Sequence, residues 1–174
     1  MKVLVSYASK HGATAEIAQR LGGWLGAALV VGDPGAEVDV LSADEVGDLA
    51  GYDAVVLGSA VYAGHWLEPA VELVGKHGGF LSTVPVWVFS SGPVGTPPEP
   101  HDEPAEVAGV LASIEPRDHR LFAGALDRHR LGWPERALVA ALRAPEGDFR
   151  DWDAIEAWAG EIAIALTPPS PPPS

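Results

Sequence analysis

The chain has 174 residues, 47% of them hydrophobic, no cysteine and a formal charge of −13. That length and apolar content suit one domain with a substantial core, and the missing cysteine removes disulfides, thiolate metal sites and dithiol redox chemistry. The acidity argues against nucleic acid and anionic lipid as partners, and no apolar run reaches the roughly 18 residues of a membrane span, so a cytoplasmic protein without stable membrane insertion is expected.

The elements alternate. Lys2–Tyr7 reads as a buried strand, and Thr14–Leu29 as a helix with Ile17, Leu21, Trp24, Leu25 and Ala28 at helical spacing. Glu37–Leu41 alternates like a strand nearer an edge. Ser42-Ala43-Asp44-Glu45 has capping-box spacing and predicts a short helix. Asp53–Ser59 is a second buried strand. Leu67–Lys76 is a helix that Gly78-Gly79 should close. Pro85–Ser91 is a third buried strand, followed by an acidic, proline-containing loop at Glu99–Glu106 and a helix at Pro104–Ile114.

Arg120–Leu126 is the last strand, Trp133-Pro134-Glu135 opens another helix, and Asp151–Leu166 is a final amphipathic one. Residues 167–174 form a Pro-rich tail expected to be disordered, which leaves 1–166 as the folded domain. Five apolar strands separated by helices predict an α/β fold: a doubly wound parallel sheet of order 2-1-3-4-5 with helices on both faces.

Ligands in such a sheet bind beyond the carboxyl ends of the strands. Four segments lie there: Ser9–Thr14, Ser59–Trp66, Ser91–Gly95 and Asp127–Trp133. In the first, a helix starting at Ala13 or Thr14 presents unpaired N–H groups, Gly12 permits close backbone approach, and Ser9 and Thr14 carry hydroxyls; this suits a phosphate. Taken alone, the same residues also read as an ordinary turn capped by Ser and Thr. Lys10 and His11 either add charge to the site or face solvent.

No G-x-G-x-x-G follows the first strand and no G-x-x-x-x-G-K-[ST] occurs, which argues against dinucleotide and Walker-type sites. A phospho-acceptor receiver would need acids where Ala8-Ser9 and Gly58-Ser59 stand. In the second segment Tyr62 is expected at the crevice, whereas Trp66 reads first as packing inward.

These residues resemble the flavodoxin family. Its phosphate loop, [TS]-x-[TS]-G-x-T, is matched at Ser9, Gly12 and Thr14 and departs at His11. "DAVVLGSAVYAGHW" is similar to its third strand and first flavin loop. "LFAGALDRHRLGWPERALVAAL" and "EGDFRDWDAIEAWAGEIA" look like the branch formed by menaquinone-dependent protoporphyrinogen oxidases and related bacterial flavodoxin-domain proteins.

The resemblance implies noncovalent FMN. The phosphate would lie on Ser9, Lys10, His11, Gly12, Ala13 and Thr14, and the flavin ring between Ser59, Ala60, Val61, Tyr62, Ala63 and Gly64 on one side and Ser91, Gly92, Pro93 and Val94 on the other. Many flavodoxins stack a second aromatic from the latter loop, which here has none. Residues 117–150 carry seven arginines against five acids in a chain otherwise strongly acidic. Arg128 and Arg130 are the expected ligands for substrate propionates.

The implied activity is oxidation of a reduced organic substrate of the protoporphyrinogen type with electrons passed to a quinone. The alternative is an electron carrier that docks on basic redox partner proteins. Electron transfer needs no side-chain base, so no catalytic or metal residue is assigned.

Overall fold

A computed structural model describes residues 1–62, 64–92, 105–141 and 145–167. In chain order the elements are β1 (Lys2–Ala8), α1 (Ala13–Gly32), β2 (Glu37–Ser42), β3 (Ala54–Tyr62), β4 (His65–Trp66), α2 (Glu68–Leu81), β5 (Val86–Ser91), α3 (Ala105–Ile114), β6 (Asp118–Phe122), β7 (Ala125–Leu126), α4 (Trp133–Ala141), β8 (Gly147–Asp148) and α5 (Trp152–Leu166). The main sheet runs β2-β1-β3-β5-β6 with every one of these neighbours parallel. Counting only these five strands, the order is the expected 2-1-3-4-5.

Side chains along a strand alternate between faces, and here both faces are covered. Val3, Val5, Val56, Trp87 and Phe89 pack with Ile17, Leu21 and Leu25 of α1 and Ile155, Trp158 and Ile162 of α5. Leu4, Val55, Leu57, Val86 and Val88 pack on the opposite face with Ala70, Leu73 and Val74 of α2 and Val107 and Ile114 of α3. That double burial is why the strands read as continuous apolar runs. In β3, Gly58 makes room for the Phe89 ring of β5, which any β-carbon there would overlap.

Several details differ from expectation. Ser42–Glu45 forms a turn rather than a helix, although the Ser42 N–H does donate to Glu45 Oε2 at 3.3 Å. Helix α2 continues through Gly78-Gly79 to Leu81. The last sheet strand begins two residues earlier and ends at Phe122; Ala125–Leu126 leaves the sheet to pair antiparallel with Gly147–Asp148. On the α1 stripe the chain buries Leu29 and exposes Ala28. Residues 168–174 of the expected tail and residues 99–104 of the acidic loop lie outside the described residues.

Candidate functional site

The carboxyl ends of β1, β3 and β5 lie side by side, with Ser59 opposite Ala8 and Ser91 opposite Ala60. Beyond β1 the chain turns at Gly12, whose φ of 92° is left-handed. Its N–H donates to Ser9 Oγ at 3.1 Å, and its carbonyl accepts from the Glu16 N–H at 3.0 Å to start α1. No side chain caps that helix. The amides of its first turn therefore keep unused donors and the positive end of the helix dipole. Ser9 closes the turn before the helix and leaves the helix's own first-turn amides uncapped. Thr14 lies inside the first turn and is buried.

Long-range contacts surround the loop. Lys10 forms an ion pair with Glu135 of α4, and its ammonium lies 5.1 Å from the centre of the Tyr62 ring. His11 Nε2 lies 3.2 Å from the same Glu135 oxygen, and the His11 and Tyr62 rings are 6.0 Å apart. The other Glu135 oxygen accepts the Gly132 N–H at 2.9 Å. The Lys10 ammonium first, then the Gly132 N–H and His11, pull the Glu135 carboxyl down to about 2. Burial, reinforced by the negative charge of Glu135, pushes the Tyr62 phenol up to about 12; Tyr62 stays neutral at ordinary pH.

Two arginines reach the loop from the far end of the chain. Arg130 closes the short 3-10 turn Arg128–Arg130, and its Nη1 donates to the His11 carbonyl at 3.2 Å. Arg150, only 8% exposed, donates to the Ala13 carbonyl at 3.2 Å and to Glu16 at 2.7 Å, and grips Asp148 with Nε and Nη2 at 2.7 and 2.6 Å. Arg128 instead pairs with Glu146, Nε to Oε2 at 3.6 Å.

The second loop is a hairpin: Val61 pairs with Trp66 and Tyr62 with His65, and Gly64 takes the left-handed turn position at φ 84°. Trp66 points inward, as expected, and its indole N–H donates to Ser90 Oγ at 2.9 Å. The buried Ser59 hydroxyl accepts the Leu67 N–H at 3.1 Å and donates to the Ala60 carbonyl at 2.9 Å, which fixes the base of the hairpin. Tyr62 remains 37% exposed at the sheet end. Beyond β5, Gly92 has φ 156°, and a β-carbon there would stand 2.9 Å from the Val61 carbonyl oxygen, so the two loops abut backbone to backbone. Ala63, Pro93 and Val94 lie outside the described residues.

The structure thus gathers Ser9–Thr14, Ser59–Tyr62, Gly64, Ser91 and Gly92 at one end of the sheet and adds Arg130 to the first of these loops. The sequence reading missed Glu135, Glu16 and Arg150 as loop partners. Glu135 and Arg150 are separated from the loop by most of the chain, and Glu16, though adjacent to it, takes its ionic partner Arg150 from the other end; no local pattern marks such pairs. Uncapped amides, a glycine cradle and an arginine suit an anion, and the hairpin and the Gly92 turn offer backbone groups to a flat ligand.

A flavodoxin domain model matches residues 4–153. No curated protein matches in sequence. Among solved structures, a flavodoxin from the domain Archaea is 16% identical, with a TM-score of 0.58 over 95% of this chain and 98% of that one. A flavodoxin mutant from Pseudomonas aeruginosa is 15% identical, with a TM-score of 0.58 over 97% of this chain and 100% of the other. Rubredoxin oxygen:oxidoreductase from Desulfovibrio gigas is 14% identical, with a TM-score of 0.62; the match covers 95% of this chain but 36% of that longer one. At these identities the likeness concerns the fold.

Proposed function

The chain belongs to the flavodoxin domain family, and from that premise we propose that it is a redox protein holding FMN noncovalently, with the phosphate on Ser9–Thr14 and the ring between Ser59–Gly64 and Ser91–Val94. Family membership implies FMN as the cofactor. The residues present fit it. The observation that carries the reading is the uncapped start of α1 behind a left-handed Gly12, a backbone cradle for a phosphate dianion. Bound FMN would supply the electron chemistry. The chain's part is to bind the phosphate, orient the ring against the Val61 and Gly92 backbones, and leave Tyr62 neutral beside it.

Within this reading the protein oxidises a reduced organic substrate of the porphyrinogen kind and passes the electrons to a quinone. Supporting it are the arginine-rich turn and α4, which also carries Trp133 at 83% exposure; Arg128 is the proposed ligand for a substrate carboxylate. The second reading, an electron carrier docking on basic redox proteins, is favoured by the charge of −13. No helix among the described residues is long and apolar enough to cross a membrane, in keeping with either role in the cytoplasm.

Titration with FMN, followed by quenching of flavin fluorescence, tests the common premise: failure to bind at micromolar concentration removes both readings. Porphyrinogen turnover with a quinone, lost in Arg128→Ala, supports the enzyme. No turnover, together with electron transfer to a basic redox protein that weakens with salt, supports the carrier.

A further inference from the structure

We propose that Arg130 is a ligand of the flavin phosphate and makes this chain select FMN over unphosphorylated riboflavin. The inference rests on the FMN reading above. Arg130 arrives from the turn after β7, outside the Ser9–Thr14 loop, yet its Nη1 donates to the His11 carbonyl at 3.2 Å. A β-carbon on Gly12 would stand 3.2 Å from that same nitrogen. The guanidinium therefore lies against the residue that caps α1, next to the unpaired amides where a phosphate would dock.

Three cations touch this loop, and their existing partners separate them. Lys10 is committed to Glu135 and to the Tyr62 face. Arg150 is buried and closely matched by Asp148 at 2.6 Å and Glu16 at 2.7 Å. Arg130 is 55% exposed, and its carboxylate neighbours, Asp127 at 3.6 Å and Glu16 at 3.7 Å, stand beyond hydrogen-bond length. A guanidinium has five N–H donors in a fork that fits phosphate oxygens in pairs, so Arg130 can keep the His11 carbonyl and still take an anion.

A cation here also has a local acid to offset. Glu16 places a carboxylate in the first turn of the very helix that would hold the phosphate, in a chain whose charge is −13. Like charges at that range repel. A guanidinium already facing Glu16 offsets that repulsion and gives the phosphate a charge-assisted partner that riboflavin cannot use.

The test compares FMN and riboflavin dissociation constants for the full chain and for Arg130→Gln and Arg130→Lys, with urea midpoints as a check on folding. Arg130→Gln is expected to weaken FMN about tenfold, the usual range for a charged hydrogen bond reduced for exposure. Riboflavin affinity should stay within about twofold, Arg130→Lys should fall between, and the FMN loss should shrink as salt rises. Equal losses for the two flavins would mean that Arg130 only braces the loop, and an unchanged FMN affinity would mean that it is no ligand; either overturns the inference while leaving the FMN reading intact. If the unmutated chain binds neither flavin, the FMN reading fails first and the inference falls with it.

Discussion

Gly12→Ala isolates the geometry on which the site depends. Gly12 is held at φ 92° and ψ −15°, where an L-residue with a β-carbon is disfavoured by about 1–2 kcal/mol. Replacing glycine also reduces the entropy of the unfolded chain, which returns about 0.4–1 kcal/mol. The new β-carbon would stand 3.2 Å from Arg130 Nη1, a tight contact with the end of a half-exposed side chain that can move aside at little cost. The net destabilisation is about 1 kcal/mol, which at a urea slope of about 2 kcal/mol/M moves the midpoint down by about 0.5 M.

Gly12→Asn separates backbone strain from the cradle. Asparagine tolerates the left-handed region far better than alanine, so its midpoint should fall by less than half as much. Both variants still place a β-carbon between the loop and Arg130, and both should lose FMN affinity. An unshifted midpoint in Gly12→Ala would refute the claim that the loop is held left-handed. Unchanged FMN binding in Gly12→Asn would refute the claim that the missing β-carbon matters to the ligand.

Glu135 has its carboxyl lowered from 4.5 to about 2, so the stability it contributes is complete above the unfolded-state value and lost as pH falls through the folded one. Urea midpoints against pH should show the wild type losing its advantage over Glu135→Gln between about pH 4.5 and pH 2, with a constant gap above pH 5.5 or so. Trp158 is 1% exposed, stacks edge-on with Phe122 at 5.5 Å and Phe89 at 6.2 Å, and donates to Asp118 at 2.8 Å; Trp158→Ala should cost about 3–5 kcal/mol by urea unfolding. Trp66→Phe removes the donor to Ser90 and should cost about 1–1.5 kcal/mol. It should also weaken FMN binding, because that bond ties the hairpin to β5.

The parts of the fold legible in the sequence are those where local pattern and tertiary burial agree. Ile17, Leu21 and Leu25 keep helical spacing and all three are buried. The central strands β1, β3 and β5 announce themselves because both of their faces are covered. Where local and tertiary terms conflict, burial prevails. Two adjacent glycines cost a helix about 1 kcal/mol each, yet α2 runs through them to Leu81, which is fully buried. Ser42–Glu45 has the reciprocal spacing of a cap, but the chain beyond it goes into turns around Asp48 and Leu49 rather than a helix. Beyond Phe122 the fifth strand leaves the sheet, the Gly124 carbonyl accepting the Phe149 N–H at 3.1 Å, while Gly124 runs against Gly92, with a β-carbon there 3.2 Å from the Gly92 Cα. That contact joins residues 32 apart and leaves no local trace.

The loop residues were legible by type, since glycine, serine and a following helix are a local arrangement. Their electrostatics were not, because Lys10 and His11 meet their acid 124 or more residues later. The sequence does hold one indirect trace of that arrangement. Seven of its eleven basic residues fall between 117 and 150, and two of them, Arg130 and Arg150, meet the Ser9–Thr14 turn. An anion site at the start of a helix has only partial backbone charges to offer. In a chain this acidic, full positive charges brought from elsewhere strengthen such a site. Arg150 answers the carboxylate of Glu16 from its buried side, which leaves the exposed guanidinium of Arg130 for the ligand. The uneven distribution of arginine along the chain is, on this account, the counterpart of a phosphate site placed in a protein of the same sign as its ligand.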